Sequence, residues 1–485
     1  MNSEAGEIKV SQQELIRESA CGIVEKLTSG VVTPLDLLDV LEKRISDVDG
    51  KVNALPILCF DRARKSATEL MKKPISERGL LAGLPVPIKD LTDVSGVRTT
   101  SGSRIFKDNI PAGSDILVER LEENGALIYA KSNVPEFGSG ANTFNEVFGA
   151  TLNPWDTSRS AAGSSGGAAV ALATGMAWLA HGSDCGGSLR NPASFCGVVG
   201  LRPSIGRVAR TPNGKVDTTL GSVSGPMARN VEDVALMLDA MSGQHPGDPL
   251  SLPKLAVSFL SAARLGKKPK RVAYSPDLGI TPVDPQVAAI TRAAAERFEE
   301  AGGIVEEAHP DFSEAHECFH VLRAFDYVGM GALLRKHREL IKPEVIWNIE
   351  EGLRLTVEQV AHAEMQRVAM TARAVQFFET YDLLLTPATI VEPFPVQNRY
   401  VNECASKMFD NYVQWLGIAY AITLACCPAL SLPCGFTESG LPVGLQIVAS
   451  PGGEARLLAG AKVLENVLDL RRTTPIDSRG TEPGR

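Results

Sequence analysis

The sequence predicts an α/β protein with a largely parallel sheet, on three observations. From about Leu81, short apolar runs (Pro85 to Ile88, Ala126 to Ala130) alternate with helical patterns such as Ile116 to Asn124, the alternation that builds strand–helix–strand units. The same order returns where "RVAYSPDLG" precedes "DPQVAAITRAAAERFEEAGG". A chain of 485 residues with 44% hydrophobic content can also bury a core of the size such a sheet needs.

The elements follow in chain order. "SQQELIRESACGIVEKLTSG" repeats apolar residues three and four apart, and Thr33-Pro34-Leu35-Asp36 reads as a capping box with proline in the first turn. Together they predict a helical hairpin over about residues 10–50. A core follows over about 80–240, in which "AAVALATGMAWLA" is apolar all round and reads as one buried helix. Residues of about 311–380 are helical again and richer in His, Glu and Arg, as a cap over a sheet would be, and "YDLLLTPA" returns the chain to a strand. "LGIAYAITLACCPALSLPC" carries no charge over a length that could span a bilayer. Pro428 and Pro433 divide it instead into a buried helix ending before Pro428 and a short strand, "ALSL", in a C-terminal strand region of about 428–448. The tail after Arg471 is expected to fray.

Charge and cysteine usage narrow the function. A net charge of −8 with no Lys/Arg-rich run argues against nucleic acid as a partner, and the interrupted apolar stretch argues against a membrane. "MNSEAGEIKV" lacks the basic start and apolar core of a signal peptide, so a cytoplasmic location is expected. Nine cysteines scattered from Cys21 to Cys434 suit a reducing compartment rather than a disulfide framework. The expected partner is a small molecule.

Several residue groups offer chemistry. Gly163-Ser164-Ser165-Gly166-Gly167 matches G-x-S-x-G, but a nucleophile elbow needs a strand before it, and "NPWDTSRSAA" is a polar, proline-containing loop. His316-Glu317-Cys318-Phe319-His320 alternates possible metal ligands at a spacing no usual zinc motif has, so no metal is expected. Ser251-Leu252-Pro253-Lys254 fits S-x-x-K in letters only, since Pro253 stands where a helix must continue. Lys89 ends a short apolar strand, where burial would favour the neutral amine and make it a general base; the alternative is a strand-end lysine reaching solvent. In "SDCGGSLR", Cys185, Gly186 and Gly187 lead into Ser188, and paired glycines let successive backbone N–H groups converge beside a nucleophile; the alternative is an ordinary glycine-rich turn.

"GLPVPIKD", "KSNVPEFG", "FGATLNPWD", "AGSSGGAAVALATG", "GSDCGGSLRNPASFCGVVGLRPSIGRV" and "PALSLPCGFTESGLPVGLQIV" occur in that order. In these stretches the sequence resembles the amidase signature hydrolases. The resemblance implies one domain over residues 1–485, built on a large mixed, mostly parallel twisted sheet with helices on both sides. It implies a Ser-cisSer-Lys triad in which Lys89 is the base, Ser164 the bridging serine after a cis peptide from Gly163, and Ser188 the nucleophile. It assigns an oxyanion hole to the backbone N–H groups of Cys185, Gly186, Gly187 and Ser188, and places Gly138, Ser139 and Gly140 beside the acyl site. Ser165 becomes a neighbour at a helix start. Ala162, where the family has glycine, and Cys185, often Thr, Ile, Phe or Met, are departures that bear on substrate preference.

The function implied is hydrolysis of small amides, including aryl amides, esters or carbamates, with no cofactor. The alternatives are the A-type glutaminase component of a tRNA-dependent amidotransferase and a non-catalytic scaffold. "VDTTLGSVSGPMARN" lacks the "SSLDQIGP" type of stretch associated with that component. Beyond a small amide or related acyl substrate, the partner left open is a second copy of the chain, in a homodimer.

Overall fold

A computed structural model describes residues 10–211, 221–470 and 473–480. The N-terminal region holds three helices, Gln12–Arg17, Ala20–Thr28 and Pro34–Val52, rather than a two-helix hairpin. Ser11 and Ser19 each accept a bond from their own first turn, so the first predicted helix is two separately capped ones. Thr33 and Asp36 close the capping box, with Pro34 opening the third helix.

A small sheet follows in the order Ile57–Leu58, Leu127–Ser132, Pro85–Lys89. Its middle strand runs parallel to Pro85–Lys89 and antiparallel to Ile57–Leu58. Every residue of Pro85–Lys89 is buried, so the strand carries Lys89 into the interior.

The large sheet has eight strands in the order Ile304–Glu307, Arg271–Tyr274, Leu383–Pro387, Pro442–Val448, Ala429–Phe436, Val199–Arg202, Val223–Ala228, Leu179–Asp184. It is mixed and flanked by helices, as the resemblance implies, but its parallel share is smaller than expected. Arg271–Tyr274 is parallel to both neighbours, and the remaining ladders are antiparallel. Part of the reason is connection length: residues 437–441 alone join Ala429–Phe436 to Pro442–Val448, too few for a parallel crossover.

Both faces of this sheet are covered. Leu383 and Leu385 pack with Leu457, Leu458 and Leu464 of helix Glu454–Leu468, while Leu384 between them packs with Ile418, Tyr420 and Ile422 of helix Gly417–Leu424. This is the alternation of a strand buried on two sides. Helices Ala315–Tyr327 and Val357–Phe377 lie on the second of these clusters, and Pro343–Arg354 adds a smaller one.

Two expectations are corrected. "AAVALATGMAWLA" is not one helix: Gly166–Ala173 is helical, Gly175 turns the chain at φ +74°, and Leu179–Asp184 is a strand. A run that is apolar all round has no period to separate a buried helix from a buried strand. The tail is docked where described. Ile476 N–H donates to Ala173 O and Arg479 N–H to Pro154 O, both at 2.9 Å, and Asp477 pairs with Arg44 at 2.8 Å. Among the described residues no helix is long and apolar enough to cross a membrane. Part of "VDTTLGSVSGPMARN", residues 216–220, lies outside the described residues.

Candidate active site

Lys89 is wholly buried at the end of its strand. Its Nζ lies 2.7 Å from Ser164 Oγ, 2.9 Å from Ser165 Oγ, 3.0 Å from Ser183 Oγ and 3.1 Å from the Ser183 carbonyl oxygen. These partners are all neutral. Burial pushes the lysine down to about 7, against the opposite pull of Asp184. The geometry sets the buried amine among hydroxyls rather than reaching solvent. His181, also fully buried, accepts from the Lys89 backbone N–H at 3.4 Å. Burial, with Lys89 and Lys131 adding to it, lowers this imidazole to about 3, so the ring is neutral at ordinary pH.

The peptide between Gly163 and Ser164 is cis. Ser165 stands at the N-terminus of helix Gly166–Ala173, and its N–H donates to the Ser188 carbonyl oxygen at 3.2 Å, tying the two serine stretches together. No strand precedes Ser165, so the elbow context is missing.

Strand Leu179–Asp184 delivers the second stretch, and Asp184 organises the turn after it. Its carboxylate accepts from Gly187 N–H (2.9 Å), Leu189 N–H (3.0 Å) and Arg190 Nη2 (2.8 Å) and Nε (3.1 Å), with Arg202 Nη1 3.4 Å away. Burial alone would raise this carboxyl, but the Arg190 and Arg202 guanidiniums outweigh it and hold Asp184 well below its ordinary range. Arg190 is held in turn by Ala419 O at 2.7 Å and Thr423 Oγ1 at 3.1 Å. Gly187 has φ +109°, and a Cβ there would lie 2.5 Å from Asn191 Oδ1, so both conformation and space require glycine. Of the four expected oxyanion donors, the Gly187 N–H donates to Asp184 at 2.9 Å.

Ser164, Ser183, Cys185, Gly186 and Ser188 border a cavity of about 410 Å³, with Gly138 and Gly140 across from them. Ser139 between them is buried: its hydroxyl pairs with Tyr327 Oη at 2.6 Å and its carbonyl accepts from Lys342 Nζ at 2.9 Å. The rest of the wall comes from Phe319, Arg323, Asp326 and Tyr327 of helix Ala315–Tyr327 and from Tyr412 and Leu416. Arg323 Nη2 donates to Tyr412 Oη at 3.2 Å and lies within 3.4 Å of Tyr327 Oη.

The other sequence candidates disperse. His316 bonds Tyr420 and Ile280, Glu317 meets Gln366, Cys318 bonds Ala363, and His320 faces Glu351. Among the described residues no cluster of three metal-ligating side chains forms. Ser251 is held in its turn by His245 and Asp248. Sequence reasoning missed Ser183 and underrated Ser165 as partners of the Lys89 amine, and it missed Arg323, Tyr327 and Tyr412. Ser183 carried a signal, being a hydroxyl in the strand that leads into "CGGSLR"; the cap residues carried none that period or motif could isolate.

A family model described as Amidase matches residues 36–458. The chain is 35% identical over 478 residues to an acylamidase of Rhodococcus erythropolis, covering 97% of this chain and 99% of the relative. It is 34% identical over 460 residues to the A component of the glutamyl-tRNA(Gln) amidotransferase of Moorella thermoacetica, covering 89% and 93%. The crystal structure of a bacterial aryl acylamidase of the amidase signature enzymes superimposes with a TM-score of 0.86 at 26% identity, covering 95% of this chain and 99% of that one.

Proposed function

The chain belongs to the amidase signature family, and from that membership we propose that it hydrolyses small aryl amides through a relay of Lys89, Ser164 and Ser188. The family and its acylamidase members make it a hydrolase of carbon–nitrogen bonds other than peptide bonds. The observation that carries the finer reading is the 2.7 Å contact between the buried Lys89 amine and Ser164 Oγ, on the wall of the cavity that Ser188 shares.

In this scheme the neutral Lys89 amine accepts the Ser164 hydroxyl proton as Ser164 accepts that of Ser188. Ser188 Oγ attacks the carbonyl carbon, and the C=O bond opens to an oxyanion. Backbone N–H groups of Cys185, Gly186 and Ser188 are the donors left for it, each worth about 3 to 4 kcal/mol when well aimed. As the oxyanion collapses the C–N bond breaks, and Ser164 returns a proton to the departing amine. Water, deprotonated by the same relay, then cleaves the acyl-enzyme ester and regenerates Ser188. Phe319, Tyr327 and Tyr412 on the cavity wall favour an aromatic substituent. Esters and carbamates present the same carbonyl to the same relay.

The likeness to an amidotransferase component favours a second reading, a glutaminase working in a complex. A panel of p-nitroanilides, aryl amides, esters and carbamates of graded size separates the two. Aryl amide turnover by the chain alone supports the first reading, whereas glutaminase activity that appears only with partner proteins supports the second.

A further inference from the structure

The loop across the cavity from Ser188 is fastened by a lysine of the cap. Between residues 137 and 141 the backbone is left-handed at Phe137 (φ +48°), Gly138 (+71°), Gly140 (+107°) and Ala141 (+55°). For Phe137 and Ala141 that conformation is costly, and it persists only where the surroundings impose it. The loop packs on the serine relay: a Cβ at Gly138 would lie 3.3 Å from Ser164 Oγ, and one at Gly163 would lie 3.2 Å from the Ala141 carbonyl carbon.

Lys342, the residue before helix Pro343–Arg354, bonds this loop twice. Its backbone N–H donates to Glu136 Oε2 at 2.7 Å, and the other oxygen of that carboxylate accepts from Ser103 Oγ at 2.7 Å. Its Nζ donates to the Ser139 carbonyl oxygen at 2.9 Å and lies 4.6 Å from the centre of the Phe144 ring. The side chain is only 9% exposed, and burying an ammonium is costly without close partners. Glu344 is 3.7 Å away and gives both its oxygens to Arg399 at 2.6 Å, so the amine's hydrogen bond goes to the loop. In a trans peptide the carbonyl and the following N–H point opposite ways. Drawing the Ser139 carbonyl toward Lys342 therefore turns the Gly140 N–H to the other side, and Gly140 is the residue of that peptide which borders the cavity.

We propose that Lys342 is a positioning residue for substrate binding: by holding the Ser139 carbonyl it aims the Gly140 N–H at a polar group of the bound substrate. This rests on the reading that the cavity is the active site, and it makes the cap set the backbone geometry of that site as well as its roof.

The test separates binding from folding and from the reaction. Lys342→Met keeps the stem and removes the donor, whereas Lys342→Arg keeps a donor. In Lys342→Met, KM should rise about three- to tenfold, the usual worth of one hydrogen bond, with kcat changed less, and Lys342→Arg should recover most of the loss. A purely structural role would lower kcat with the folded fraction and leave KM alone; circular dichroism and melting measure that fraction. Hydrogen exchange of a peptide over residues 133–143 reads the tie without any substrate. The Phe137, Gly138 and Ser139 N–H groups, bonded to Ser101, Pro135 and Glu136, should lose protection in Lys342→Met. Parental exchange in that variant overturns the tie, and faster exchange with an unchanged KM overturns its role in binding. A parent that cleaves glutamine but no aryl amide overturns the aryl amide reading alone, and KM is then compared with glutamine. A parent that cleaves nothing in the panel and no glutamine overturns both.

Discussion

Lys89 bears the heaviest load in the proposed mechanism, and its titration can be worked through. The amine is a base only when neutral, and burial brings it to about 7 in the folded chain. Below that pH it is protonated and the relay is closed. About a tenth of the lysine is neutral at pH 6, about half at pH 7 and about nine tenths at pH 8, so kcat/KM should rise about tenfold from pH 6 to pH 8 and then level. Lys89→Met keeps an apolar stem in the strand and removes the amine. Its turnover should fall by about 10²- to 10⁴-fold, the usual contribution of a positioned base, with the fold preserved by circular dichroism. The assay is kcat/KM for an acylated p-nitroaniline across pH 5 to 9 at constant ionic strength. A flat profile between pH 6 and 8, or a folded Lys89→Met enzyme with parental turnover, would refute the mechanism. Stability carries the same signature. The unfolded lysine titrates near its ordinary value of 10.5 and the folded one near 7, so between these the unfolded chain binds more protons. The parent should therefore gain stability relative to Lys89→Met as pH rises through that window, by about 1.4 kcal/mol per unit at most.

Ser188→Ala should abolish labelling by a fluorophosphonate probe, while Ser165→Ala should still label, with turnover lowered because one hydrogen bond to the Lys89 amine is gone; labelling that follows Ser165 instead would restore the elbow reading. Asp184→Asn leaves two buried guanidiniums without their carboxylate and should cost about 3 to 5 kcal/mol in chemical denaturation, together with a loss of kcat as the turn before Ser188 relaxes. Tyr327→Phe removes the hydroxyl contact with Ser139 but keeps the ring, so KM for aryl amides should change more than kcat; an unchanged KM for every size of amide would remove Tyr327 from the substrate wall.

Much of the local structure was readable because its causes are local. Thr33, Pro34 and Asp36 cap a helix through atoms three residues apart, and Pro428 separates helix Gly417–Leu424 from strand Ala429–Phe436 through its own ring. The family was legible because its motifs are long and ordered. What failed depended on distant partners. The all-apolar stretch of residues 168–180 divides into helix and strand because its end, Leu179 and Ala180, pairs with Ala228 and Met227. The tail is held by carbonyls of Ala173 and Pro154, hundreds of residues earlier.

By itself, then, the sequence determined the chemical cast: a lysine ending an apolar strand, a serine after glycine in "AGSSGG", and a serine after paired glycines in "GGSLR". Only the tertiary structure decided their surroundings. Residues 75 positions apart meet at Lys89 and Ser164, and three serines rather than one surround the amine. Asp184 is given over to two arginines instead of neutralising the lysine, and Gly187 spends its N–H on that same carboxylate. The physical reason is burial, since the proton affinity of an amine follows from how much water and charge remain around it, and those are set by chain segments that no local pattern brings together.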